Sequence, residues 1–307
     1  MQVLLGFPSQ SVRSKNIALL FLHGSFHGSW CWQEHFLPYF VDAGYTVVAP
    51  DWRGTGGTPA APGARKVKIA QHVQDLHCLV EQLPKLLEHQ TSGAHITNPH
   101  PVVVAHSFGG VALMKYLEEH RGNDNPFCGV VTFCSVPPSG NGQLTMRYLQ
   151  RSLRTSWIIT RGFAMKKCIT DEDMCRQLFF GGPKETNDNG KVDDFGVSDQ
   201  EIRTYQQNFL RDSAATIDLL DLSKKLPSLL TDSDGKSLFV NDEFPSCLVV
   251  GAKDDYIVDT EAVEETAVYF GASPPIIVES PHDIMLGRNW MKAAKTLKTW
   301  LDKTIEK

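Results

Sequence analysis

The sequence predicts an α/β fold: a mostly parallel central sheet with helices on both faces and a helical insertion capping it. Three observations carry this. Short apolar runs rich in β-branched residues recur without polar alternation, the pattern of strands buried on both faces. Segments of helical period lie between them. The rhythm stops near Pro137 and resumes at Cys247, as though one sheet were interrupted and then completed.

The expected strands are Ile17–Leu22, Tyr45–Ala49, Pro101–Ala105, Cys128–Phe133, Cys247–Val250 and Pro275–Val278. Helical period runs over Ile69–Leu87, Val111–His120 and Trp290–Ile305. Residues 1–136 and 245–307 therefore read as one core, and 137–244 as a cap or lid with helices over Tyr148–Phe163 and Ser198–Leu222. A polar, glycine-rich loop, Gly181–Gly196, lies inside the cap and reads as mobile. The stretch before Ile17 is short, so antiparallel edge strands are expected to be reduced.

The 307 residues are 42% hydrophobic and 21% charged, enough apolar content for a sizeable core. A net charge of -5 with no basic run gives no reason to bind nucleic acid. The 7 cysteines are scattered, with no CxxC pair, and read as reduced core thiols rather than a zinc site. No apolar stretch reaches the roughly 20 residues of a membrane span. The first residues are too short and uncharged for a signal peptide. A cytoplasmic location is expected, or an organelle stroma if a transit peptide was removed.

Chemistry concentrates at Val102-Val103-Val104-Ala105-His106-Ser107-Phe108-Gly109-Gly110. A strand, a serine, glycines and then a helix match the nucleophile elbow, G-x-S-x-G, with Ala105 in the first glycine position. Small flanking residues are needed because the helix folds back close to the strand. The hydroxyl of Ser107 would stand clear of the sheet, at a helix N-terminus that favours negative charge. A capping serine between an ordinary strand and helix is the bland alternative on this motif alone.

Acyl transfer also needs N–H groups aimed at the developing oxyanion. Phe108 supplies one. Ser25 supplies the other, from Leu22-His23-Gly24-Ser25-Phe26-His27-Gly28-Ser29-Trp30, with Gly24 allowing the turn. His23 is expected to hold this loop by hydrogen bonds. Phe26, His27, Trp30 and His106 are expected to line or support the substrate pocket.

The motif order requires an acid and then a histidine after the serine. Val249-Val250-Gly251-Ala252-Lys253-Asp254-Asp255 supplies the acid, with Asp255 favoured and Asp254 its rival. His282 is the one histidine of 11 that lies beyond His120, and it follows the last apolar run. Ser107 as nucleophile, His282 as general base and Asp255 as its orienting carboxylate complete a catalytic triad. No cofactor or metal is called for.

Phe21-Leu22-His23-Gly24, Asp51-Trp52-Arg53-Gly54-Thr55-Gly56-Gly57-Thr58, Ala105–Gly110, Gly251–Val258 and His282–Leu286 together resemble the α/β-hydrolase superfamily over nearly the whole chain. The phrase Ser135–Asn141 and the His-Asp-x-Met-Leu ending are most like plant and algal α/β-hydrolases of the esterase and lipase type. The His23–Trp30 loop is also similar to plant methyl esterases and hydroxynitrile lyases. Those lyases resemble this chain but carry threonine and lysine where Gly24 and Asp283 stand, so the resemblance implies ester hydrolysis. Epoxide hydrolases and dehalogenases of the superfamily carry an aspartate where Ser107 stands. The apolar clusters Trp157-Ile158-Ile159, Phe163-Ala164-Met165 and Leu178-Phe179-Phe180 in the cap point to a small-molecule substrate, a hydrophobic or lipid-like carboxylic ester. Acyl transfer on the same triad and a ligand-binding receptor with vestigial hydrolysis are the alternatives.

Overall fold

The computed structural model of the protein describes residues 1–90, 98–120, 125–163, 165–182, 185–186, 192–193 and 196–306. Its central sheet has seven strands: β1 (Val3–Gly6), β2 (Ala18–Leu22), β3 (Thr46–Pro50), β4 (Val102–His106), β5 (Gly129–Phe133), β6 (Cys247–Asp254) and β7 (Ile276–Pro281). They lie in the order β1-β3-β2-β4-β5-β6-β7. Only β1 runs antiparallel, pairing Val3–Gly6 with Val47–Pro50. The shortened antiparallel edge is thus one brief strand.

Every residue of β2, β3, β4 and β5 is buried, which is why these runs show no alternation. Flanking helices cover them, among them α1 (Ile69–Gln90), α2 (Phe108–Glu119), α7 (Thr260–Tyr269) and α8 (Trp290–Trp300). Two features of the sheet's far edge bear on the site. The β6–β7 pairing shifts between Ala252 and Asp254. β7 continues through Pro281, ending directly before His282.

Between β5 and β6 the chain forms helices α3 (Gly140–Arg151), α4 (Leu153–Phe163), α5 (Glu172–Phe179) and α6 (Asp199–Arg211). The expected helix Tyr148–Phe163 is in fact two, broken where Ser152 adopts an extended backbone (φ -161, ψ 113). The expected helix Ser198–Leu222 is also shorter. Ser198 caps α6 with a reciprocal Glu201 capping box, and α6 ends at Arg211. Thr216–Ile217 then pairs with Lys66–Val67, because this segment must cross back to the core. The Gly181–Gly196 loop falls largely outside the described residues.

All seven cysteines are free, and Cys31, Cys134, Cys168 and Cys175 are buried. Among the described residues no helix is long and apolar enough to cross a membrane.

The packing of α2 against β2 is unusually close. A Cβ on Gly109 would lie 2.8 Å from the carbonyl oxygens of both Leu22 and His23. Backbone cannot swing aside as a side chain can. Gly109→Ala is therefore expected to cost about 1–3 kcal/mol, read as a lower urea midpoint with an unchanged m-value.

Candidate active site

Three strand ends bring the chemistry together. Ser107 follows β4 with φ 52 and ψ -119, a region that non-glycine residues rarely occupy. Its N–H donates to the Phe133 carbonyl (3.0 Å), and its own carbonyl accepts from Val136 N–H (3.1 Å) and Gly110 N–H (3.0 Å). The turn is thereby locked to the end of β5. A Cβ on Gly24 would stand 2.9 Å from the Ser107 Cβ, so the oxyanion loop approaches this close only as glycine.

His282 follows β7. Its Nε2 lies 3.1 Å from the Ser107 Oγ, and its Nδ1 lies 2.8 Å from an Asp255 carboxylate oxygen. The other Asp255 oxygen accepts from Ile257 N–H (2.7 Å) and Val258 N–H (2.9 Å). The Asp255 side chain is 1% exposed, whereas Asp254 is exposed at the end of β6. Of the two candidate acids, Asp255 is the one hydrogen bonded to His282. Burial and then the neighbouring Asp255 carboxylate push the Cys134 thiol well above its ordinary range.

The loop after β2 is held by two histidines. His23 Nδ1–H donates to the Gly24 carbonyl (2.9 Å), and its Nε2 accepts from Trp52 N–H (3.1 Å). That acceptor role fixes the neutral tautomer, and burial lowers the His23 pKa to about 4. His27 Nδ1–H donates to the next carbonyl, Ser25 (2.8 Å). With both carbonyls engaged, Phe26 sits at φ 67. The described residues offer no acceptor to the amide N–H groups of Ser25 and Phe108, the two expected oxyanion donors.

A cavity beside the elbow is lined by Ser25, Phe26, His72, Phe108, Ala215 and Ile217. Of the four residues expected to line or support a pocket, Phe26 alone lines this one. His27 and His106 are buried behind it, and His106 Nε2–H donates to the His282 carbonyl (2.9 Å). Trp30 stacks on His27 with ring centres 5.6 Å apart, and its indole N–H donates to Asp212 (2.8 Å). His27 and Trp30 both pack against Phe209, with ring centres 4.8 and 5.6 Å distant. Sequence reasoning missed Asp212, His72 and Cys134, because none sits in a motif. Asp212 also accepts from Gly56 N–H (2.7 Å) and Arg211, joining the end of α6 to two core loops.

Cap aromatics roof the site. Phe163 stacks on Phe26 (5.6 Å), and Phe179 contacts Phe163 (5.7 Å), Phe209 (5.0 Å) and His282 (6.3 Å). Trp157 and Met165, from the same apolar clusters, are exposed instead. Potential ligand atoms converge in two groups, His106, His282 and Asp283, and Cys134, Asp255 and His282. Both groups include His282, whose ring nitrogens are already engaged by Asp255 and Ser107.

The alpha/beta hydrolase family profile matches residues 19–288. A 66-residue stretch, 22% of this chain, is 42% identical to epoxide hydrolase 1 of Siraitia grosvenorii and covers 21% of that protein. The matched stretch thus spans about a fifth of that relative. The fold is similar to a thermophilic esterase from Thermogutta terrifontis, with TM-score 0.63 and 16% identity over 98% of this chain and 93% of that one. An epoxide hydrolase from Vigna radiata gives TM-score 0.62 and 15% identity over 98% and 93%. At these identities the likeness is one of fold.

Burial holds His23 and His72 neutral, with pKa values lowered to about 4 from 6.5. Between those limits the unfolded chain binds protons that the folded chain does not, so stability falls as pH drops from 6.5 to 4. Each histidine contributes a loss on the order of 3 kcal/mol across that window. Urea unfolding at pH 7 and pH 4.5 should show the drop, and His72→Phe should reduce its slope.

Proposed function

The chain belongs to the alpha/beta hydrolase family, and from that premise we propose that it is a serine hydrolase of carboxylic esters. The observation that carries the reading is the hydrogen-bonded series Ser107 Oγ, His282 and Asp255, at 3.1 and 2.8 Å.

A small hydrophobic ester enters beneath the cap, residues 137–244. His282 Nε2 takes the Ser107 proton as Oγ attacks the carbonyl carbon. The oxyanion is met by Ser25 N–H and Phe108 N–H. Collapse breaks the ester C–O bond, and His282 returns the proton to the leaving alcohol. Water then attacks the acyl-enzyme with His282 as base, releasing the acid and restoring Ser107. Asp255 holds the imidazole with Nε2 facing the serine and stabilises the imidazolium. The cycle calls on no metal or cofactor.

Epoxide relatives raise the competing chemistry, and the elbow residue argues against it. A carboxylate nucleophile that opens an epoxide leaves an ester, which water cleaves. A serine would leave an ether, with no carbonyl for water to attack. Ser107 therefore suits acyl substrates. Phe26, Phe108 and the roof residue Phe163 favour an apolar acyl or alcohol group.

A fluorophosphonate probe should label the folded protein, and Ser107→Ala should abolish labelling and activity on nitrophenyl esters. Asp255→Asn should leave the fold intact and lower kcat by about 10³- to 10⁴-fold. Nitrophenyl esters of rising chain length would size the pocket. A folded wild-type protein that takes no label would count against the hydrolase reading and for a ligand receptor.

A further inference from the structure

A second buried histidine–carboxylate pair lies beside the first, and the proposed cycle does not use it. His27 is 1% exposed and Asp283 is fully buried. His27 Nε2 lies 2.9 Å from an Asp283 oxygen, and no other described group bonds to that carboxylate's second oxygen. Asp283 is the residue directly after His282. Its N–H donates to the Phe179 carbonyl of the cap (3.0 Å), and its carbonyl accepts from Leu286 N–H (2.9 Å) and Gly287 N–H (2.8 Å). The loop carrying the base is thus fixed around Asp283.

The opposite side of the His27 ring faces the oxyanion loop. A carbonyl only accepts, so the His27 Nδ1 that meets Ser25 O carries hydrogen. This holds whether the proton between His27 and Asp283 rests on the ring or on the carboxylate. Burial opposes charge on His27, but Asp283 outweighs it and the pKa is raised. The ring cannot turn away. Trp30, His106, Phe179 and Phe209 surround it, with ring centres 4.8 to 5.9 Å distant.

We propose that His27, anchored by Asp283, is a positioning residue that holds the Ser25 oxyanion donor in register with His282. The bond at Ser25 O fixes the peptide following that donor, while His23 fixes the carbonyl of the donor's own peptide. His23 anchors to Trp52 N–H on the far side, and His27 anchors to the loop of the base itself. His27 therefore links the group that receives the oxyanion to the group that moves the proton. The proposal rests on the serine hydrolase reading above.

Removing one partner would strand a buried charge, so the main test removes both. Replacing a buried ion pair by apolar side chains commonly preserves folding. His27→Leu/Asp283→Val is expected to fold, with kcat on nitrophenyl acetate reduced about 10- to 100-fold and KM little changed. Affinity for a phenylboronic acid, which mimics the tetrahedral state on Ser107, should fall in parallel. His27→Asn/Asp283→Val, which retains a donor near the Ser25 carbonyl, should recover part of both. In the wild type, the His27 ring nitrogen resonances should shift when the boronate binds. Full kcat and boronate affinity in the folded double variant would overturn the proposal. If neither variant folds, unmoved His27 resonances would do the same. A wild type that takes neither fluorophosphonate nor boronate would end the hydrolase reading and this one with it.

Discussion

The backbone of Ser107 is the constraint on which the site depends. Its φ of 52 and ψ of -119 cost on the order of 1–3 kcal/mol, and such a conformation persists only when its surroundings over-determine it. They do. The residue's own N–H and carbonyl are bound to the ends of β5 and α2. The β2 loop closes from the other side, with Gly24 against Ser107 and Gly109 against the β2 carbonyls. The sharp turn brings α2 back over the sheet and leaves Oγ facing His282. The small residues of the motif are consequences of this turn: a larger side chain at either glycine would meet backbone or Ser107 itself.

Around that turn, several carboxylates of one chemical type are separated by their hydrogen bonds. Asp255 is fixed by two backbone N–H groups and faces His282. Asp283, one residue from His282, pairs with His27. Asp51 accepts from Ser29 N–H and Gly57 N–H, bracing two core loops. Asp212 binds Arg211, Trp30 and Gly56, and its pKa is lowered because those bonds outweigh its burial. An anion beside a general base ordinarily alters the base. Here its neighbour is paired with a histidine of its own, while an Asp283 oxygen still lies within 4.8 Å of a His282 ring nitrogen. In a low-dielectric interior such pairing is required, since an unpaired buried charge is far costlier than a paired one.

What the sequence made legible follows the same physics. Buried strands lack alternation, so β2 to β6 show as apolar runs, whereas β7 shows as one although Ile276 and Ile277 are exposed. The one antiparallel strand, β1, is partly exposed and short, and only the shortening was foreseen. Ser107, Asp255 and His282 stood out because strand order fixes their succession along the chain, although a bond to His282, not sequence position, separates Asp255 from Asp254. The cap was visible only as an interruption. Its helix break at Ser152 has no glycine or proline to announce it, and the pairing of Thr216–Ile217 with Lys66–Val67 is a tertiary event. Asp212 and Cys134 act across long separations in sequence. His27 and His106 are buried and do not line the cavity, and their bonds to Asp283 and to the His282 carbonyl span sequence distances that no motif records.

The similarities to esterases and epoxide hydrolases can be weighed on the same footing. Both groups share this fold, so resemblance of fold supports each equally. What separates the two chemistries is whether the covalent intermediate can be cleaved by water. That depends on where its carbonyl lies. With a carboxylate nucleophile the enzyme contributes the carbonyl, and the substrate need not have one. With serine the substrate must bring it. The oxyanion donors then serve the substrate's oxygen, and their alignment with His282 becomes the demanding requirement. The two histidines of the β2 loop, each holding one carbonyl, are consistent with a chain built to meet it.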